Sequence, residues 1–171
     1  METNSNSGQP AAAAAKGPRR SRLSYPLPPE VRVTLQEPAA TDLNRLGQLT
    51  GQTSGEVAAV LLAGELLGNS AEEALCAAAV ALRRLHIQRR QTLGIEAPPA
   101  LAPTLQPPAT PTEGKRIRIP LSATLDEQLY TQAKATGLKP TMATQILLQT
   151  VNLKALASAI GLAANQISTT R

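Results

Sequence analysis

The sequence contains itself. Sliding it by 86 positions lays Val31-Arg32-Val33-Thr34-Leu35 on Ile117-Arg118-Ile119-Pro120-Leu121, and Leu43 on Leu129. The same shift lays Thr50-Gly51 on Thr136-Gly137, Val57 on Ala143, and Val60-Leu61-Leu62 on Ile146-Leu147-Leu148, with no gap. Any one of these matches is cheap in a Leu-rich chain, but the whole string in a single register is not.

The local pattern of each copy tells the same story. At its start, apolar and polar residues alternate with period two, the mark of a short strand with one buried face. Val31, Val33 and Leu35 point one way, and Glu30, Arg32 and Thr34 the other. In the second copy Ile117, Ile119 and Leu121 are inward, while Arg116, Arg118 and Pro120 are outward. The period then becomes helical. Leu43, Leu46 and Gly47 share a face in the first copy, as Leu125, Leu129 and Ala133 do in the second. Gly51 and Gly137 stop these helices, as glycine does just past a C-terminus. A second helix follows each glycine. Thr53-Ser54-Gly55-Glu56 is a capping box, and Lys139-Pro140-Thr141 sets proline at a first helical position, where its missing N–H costs nothing. The expected inward residues are Val57, Val60 and Leu61, against Ala143, Ile146 and Leu147.

One such unit cannot stand alone. A lone strand has no partner for its backbone groups, and two short helices leave an apolar face open. Two units solve both problems if their strands pair antiparallel and four helices close one core beneath them. At this point the chain resembles the ribbon-helix-helix DNA-binding proteins of the Arc and MetJ type, most closely in Lys115-Arg116-Ile117-Arg118-Ile119-Pro120-Leu121-Ser122 and the helices from Leu125 to Leu148. The resemblance covers residues 30–67 and 115–153. Two copies in one chain are similar to the tandem arrangement of some conjugative relaxosome accessory proteins. The expected fold is mainly α: two ribbon-helix-helix units forming a two-stranded antiparallel ribbon over a helical core. Pairing within one chain makes a pseudodimer; pairing between chains makes a homodimer.

The rest of the chain divides around these units. Residues 1–29 read as a disordered basic arm with Lys16, Arg19, Arg20 and Arg22, and residues 30–69 are the first unit. Residues 70–96 read as an added amphipathic helix, with Leu75, Leu82 and Leu85 at near-helical spacing and Arg83, Arg84, Arg89 and Arg90 toward its end. Residues 97–114 are a Pro-rich, semi-rigid linker. Residues 115–171 form the second unit with a helical extension (Leu153, Leu156, Ala157, Ile160, Ile167) and a break expected at Gly161.

Composition narrows the function. The apolar residues are almost wholly aliphatic, and Tyr25 and Tyr130 are the only aromatics. Bases therefore have little to stack on, which disfavours single-strand and RNA binding. One cysteine (Cys76) and one histidine (His86) leave no soft ligand set for zinc and no triad with a nucleophile elbow. The expectation is no enzyme, no metal and no cofactor. Cys76 reads as buried beside Leu75 and Ala79, and His86 as a surface residue. No apolar run is long enough to span a bilayer, and Met1 to Ala15 lacks the charged-then-apolar order of a signal peptide. A cytoplasmic, nucleoid-associated protein is expected. Of the net +5, residues 115–171 supply seven basic against two acidic side chains, whereas residues 30–67 are acidic. Such a basic segment favours a polyanion.

What the family resemblance implies about a site follows by position. Outward ribbon residues enter the major groove, which marks Arg32, Thr34, Arg116 and Arg118 as base contacts. The start of each second helix holds a phosphate, which marks Thr53, Ser54, Lys139 and Thr141. Pro120 fits the ribbon only if its nitrogen faces the open edge. Glu30 and Glu37 bracket the first strand, so the second copy is expected to supply most of the binding. The resemblance implies a duplex DNA-binding repressor or a plasmid-type accessory factor. Two alternatives remain: an antitoxin-like adaptor that holds a partner protein through the Arg-rich helix or the C-terminal tail, and a helical assembly module without DNA.

Overall fold

A computed structural model describes residues 28–94 and 114–167. Most of the basic arm and of the Pro-rich linker expected from sequence lies outside the described residues, as does the tail from residue 168. In chain order the elements are β1 (Glu30–Leu35), α1 (Ala39–Thr50), α2 (Ser54–Leu67), α3 (Ala71–Leu93), β2 (Lys115–Pro120), α4 (Ala123–Thr136), α5 (Pro140–Thr150) and α6 (Leu153–Gln166). The described residues are thus mainly helical, with one small antiparallel sheet.

β1 and β2 pair within the chain, Val31 opposite Ile119 and Val33 opposite Ile117. Alternation sends Val31, Val33, Leu35, Ile117 and Ile119 into the core and Glu30, Arg32, Thr34, Arg116, Arg118 and Pro120 to solvent. Beyond the strand ends, the Leu121 N–H donates to Pro29 O at 2.9 Å. That bond fixes the phase of the ladder. Hydrogen-bonded pairs fall at every second residue from there, through the inward pairs, so the outward pairs are the closer, non-bonded ones. The Pro120 nitrogen therefore faces the open edge, and the ladder loses nothing to proline.

The helix ends repeat between the halves. Gly51 and Gly137 adopt left-handed backbone with φ of 72° and 69°, which an L side chain resists. Beyond them Gln52 N–H donates to Gly47 O, and Leu138 N–H to Ala133 O, closing the same terminal loop twice. Thr50 and Thr136, also 86 apart, each bond a carbonyl one turn back. α1 starts differently: the Glu37 carboxylate accepts from the Thr41 N–H and serves as its cap.

Packing crosses between the halves: α2 lies on β2, and α5 on β1. The crossing is tight enough to require glycine. A Cβ on Gly55, in the first turn of α2, would stand 1.9 Å from the Arg118 carbonyl oxygen. Leu35, Leu43, Leu46, Leu62, Ile119, Leu129, Leu148 and Ile160 fill the core with almost no exposure.

This crossing moves the buried stripe of the second helices away from the face expected from sequence. Val57 and Leu61 are buried as expected, but Ala58 and Leu62 complete the stripe while Val60 is only half-buried. In the second half Ala143 is buried, Leu147 is half-buried and Ile146 stands 45% exposed; Thr144 and Leu148 take the inner positions. Thr144 buries its hydroxyl by donating to Pro140 O at 2.8 Å. On α2 the physical reason is the approach at Gly55, which turns Ala58 and Leu62, three and seven residues on, toward the ribbon.

The third helices break the twofold pattern. α3 packs on α1 and α2, and α6 turns away from α5 to pack on α1 and α3. Both gather on the first half, which leaves Tyr130, Met142 and Ile146 of the second exposed. α6 is a separate helix, bent 58° from α5 and capped by Asn152, whose side chain accepts from the Ala155 N–H. It runs unbroken through Gly161, where a break was expected, because its neighbours leave the helix room to continue. On α3 the expected apolar row fades along the helix: Leu75 is buried, Leu82 half-buried and Leu85 60% exposed. Cys76 is half-buried, not fully buried, and its thiol pKa is pushed up by that burial and by the charge of Glu72. His86 is exposed. No single helix among the described residues is long and apolar enough to cross a membrane.

Candidate nucleic-acid interface

The outward ribbon face is built from three cross-strand pairs: Arg32 opposite Arg118, Thr34 opposite Arg116, and Glu30 opposite Pro120. All six side chains are exposed. Because these are the close, non-bonded pairs, their Cβ atoms stand within about 5.5 Å of one another. Two guanidinium groups directly opposed at that spacing repel. Glu30 relieves part of this repulsion. Arg32 Nε donates to Glu30 Oε1 at 2.8 Å, and a second guanidinium nitrogen reaches the same oxygen. The hydrogen bond from Arg32, with smaller contributions from the charges of Arg32 and Arg118, holds the Glu30 carboxyl below its ordinary pKa despite the opposing cost of desolvation. Arg116 and Arg118 have no carboxylate in ion-pair contact among the described residues. Lys115, also exposed, begins β2 opposite Leu35, at an inward position of the alternation, so it lies at the end of the ribbon and outside this face. The face is therefore a rigid cationic surface with side-chain donors in fixed register and a single acid.

The starts of α2 and α5 differ in sign. At α2 the Thr53 hydroxyl accepts from the Glu56 N–H at 3.2 Å. The Glu56 carboxylate in turn accepts from the Thr53 N–H at 2.7 Å and from its hydroxyl at 2.8 Å. These bonds, that of the backbone N–H foremost, lower the Glu56 pKa against a smaller desolvation cost. The carboxylate thus already occupies the positive end of the helix dipole at Thr53, and Ser54 beside it is half-buried. The capping box TSGE was legible in the sequence, and this competition is its direct consequence. At α5 the first turn holds no acid, Lys139 makes no side-chain cap bond, and Lys139 and Thr141 are exposed. Proline at the first position leaves Thr141 as the first residue there with an N–H to offer, beside a lysine.

The sequence-predicted base contacts thus converge on one face, and the four residues expected at phosphates divide into a start closed by its own carboxylate and an open, basic one. No group of three or more His, Cys, Asp or Glu side chains comes together among the described residues. No family model, curated protein or solved structure matches the chain.

Proposed function

We infer that this chain is a duplex DNA-binding protein of the ribbon-helix-helix class, its two units joined in one polypeptide. Its particular role is that of a nucleoid-associated repressor or a plasmid- or relaxosome-type accessory factor, with no chemistry of its own. The observation that carries this reading is the outward ribbon face, where Arg32 and Arg118 oppose one another and Arg116 and Arg118 lack carboxylate partners among the described residues. A two-stranded ribbon fits the B-DNA major groove, and arginine reaches guanine O6 and N7 with two parallel hydrogen bonds. Phosphate oxygens on either side offset the repulsion that the free protein carries.

The two units contribute unequally. Arg116, Arg118, Lys139 and Thr141 of the second unit do most of the binding. Arg32 reaches DNA after exchanging Glu30 for a base or phosphate, and Thr34 adds a hydroxyl beside Arg116. Thr53 and Ser54 act first as the cap of α2, and DNA contact there competes with Glu56.

The test is residue-resolved. Backbone amide NMR spectra of the protein are recorded as a mixed-sequence duplex is added at low salt. The expected shifts concentrate on Arg32, Thr34, Arg116, Arg118 and the first turn of α5. No shift, or shifts confined to α4 and the exposed side of α5 around Tyr130 and Ile146, overturns the reading in favour of a protein-binding module.

A further inference from the structure

α3 is longer than α2, one of the helices it packs on. Its start is fixed against the end of α2, since a side chain on Gly64 would begin 2.8 Å from the Ala71 Cβ. Its middle is fixed against the turn between α1 and α2, since a side chain on Gly51 would begin 3.2 Å from Leu82 Cδ2. α3 therefore runs antiparallel to α2, and Leu82 lies level with the start of α2. That start is the ribbon-proximal end, where Gly55 abuts Arg118 of β2. Eleven further residues, Arg83 to Leu93, continue the helix about 16 Å beyond this level at 1.5 Å per residue.

Burial agrees with this geometry. No residue of α3 after Ala79 is buried, and beyond Leu82 only Arg83, Ile87 and Arg90 are even half-buried. The helix is polarised: Glu72 and Glu73 mark its distal start, and no acid follows until Glu96. Arg84, His86 and Arg89 stand exposed on the extension, while Arg83 and Arg90 have interactions within the chain.

We propose that this extension is a second DNA-contacting element, an arm that lays Arg84 and Arg89 on duplex phosphates flanking the ribbon site. The inference rests on the DNA reading of the ribbon and adds to it a longer footprint, skewed to one side because, among the described residues, only the first half carries such an arm. Duplex DNA is the occupant that the charge and position select. The arm is cationic at the end nearest the ribbon, and a duplex long enough to pass over the ribbon runs past it. Lengthening the duplex on that side adds contacts without any further base reading.

The experiment uses the full chain with Arg84→Ala and Arg89→Ala combined; both side chains are exposed, and circular dichroism checks that the helix persists. Affinity for a labelled duplex is measured by anisotropy across a salt series, once with a long duplex and once with one trimmed to the ribbon's own footprint. Two lost phosphate contacts make the log–log salt slope shallower by about 1.8 on the long duplex. Wild type and variant should converge on the short one. An unchanged slope on the long duplex, with wild type binding well, overturns the arm and leaves the ribbon reading intact. Failure of wild type to bind either duplex overturns both. Loss of binding to vesicles of anionic lipid, with duplex affinity unchanged, assigns the arm to a membrane surface and likewise overturns the proposal.

Discussion

Replacing Gly55 by alanine tests the crossed packing directly, because the same substitution elsewhere in this chain has the opposite sign. A methyl group at Gly55 would lie 1.9 Å from the Arg118 carbonyl oxygen. That is about 1.5 Å inside ordinary contact, and a carbonyl fixed in a planar peptide and a paired strand cannot swing aside. The start of α2 must lift from β2, which loosens Val57, Ala58 and Leu61 behind it. Overpacking of this kind costs about 1–3 kcal/mol and more when backbone has to move. Alanine returns about 1 kcal/mol of helix propensity. The net expectation is a loss of about 2 kcal/mol. Gly161→Ala is the control: it lies inside α6, where the nearest atom to an added Cβ is Leu49 Cδ1 at 3.9 Å. There alanine should stabilise by about 0.5–1 kcal/mol. With a urea slope of about 2 kcal/mol per M, Gly55→Ala lowers the unfolding midpoint by about 1 M. Gly161→Ala should raise it by a few tenths. A neutral or stabilising Gly55→Ala would mean that α2 does not rest on the other half's strand, and the account of the ribbon's support would fail with it.

Other expectations follow from the same contacts. Leu148→Ala, at a site 1% exposed, should cost about 2–5 kcal/mol in urea unfolding. Ile146→Thr, two residues earlier but 45% exposed, should stay within about 0.5 kcal/mol; equal losses would contradict the shifted stripe. The Glu30 and Glu56 carboxyls both titrate below their ordinary 4.5 in the folded chain. Their contribution is therefore complete above pH 4.5 and is lost as the pH falls through the lower folded values. Urea midpoints measured downward from pH 5 should fall below pH 4.5, and Glu56→Gln should flatten part of that fall. A variant as acid-sensitive as the wild type would remove Glu56 from the account.

How much of this was legible in the sequence depends on what fixed each feature. The strands were legible because alternation in Val31-Arg32-Val33-Thr34-Leu35 and Arg116-Ile117-Arg118-Ile119 has one reading, a ribbon with one dry face. The helix ends were legible because Gly51 and Gly137 answer a local backbone requirement. The inner face of the second helices was not. α2 is apolar on nearly every side, so its periodicity does not select a face; the contact of Gly55 with β2 does, and that is a long-range fact. On α5 Ile146 was misjudged because Thr144 takes an inner position: its hydroxyl is satisfied by Pro140 O within the helix, so a residue that reads as polar is buried. Gly161 failed as a helix stop because glycine only permits a break, and nothing around α6 demands one. The gathering of α3 and α6 on the first half follows from packing between distant segments that no local pattern reports. Of the candidate site, the outward direction of the arginines came from period two, and their marking as base contacts from the family resemblance. The closing of Thr53 by Glu56 was written in the capping box, but its bearing on phosphate binding needed the geometry of both side chains.

The most direct measurement is anisotropy of labelled duplexes of differing sequence, across a salt series, for wild type and Arg118→Ala. The account predicts duplex binding with a steep salt slope in both proteins. It further predicts that Arg118→Ala loses preference among sequences, by about 1–3 kcal/mol at the guanine it reads, while the slope stays nearly the same. Absence of duplex affinity in the wild type even at low salt, or an Arg118→Ala protein that ranks sequences as the wild type does, would contradict it.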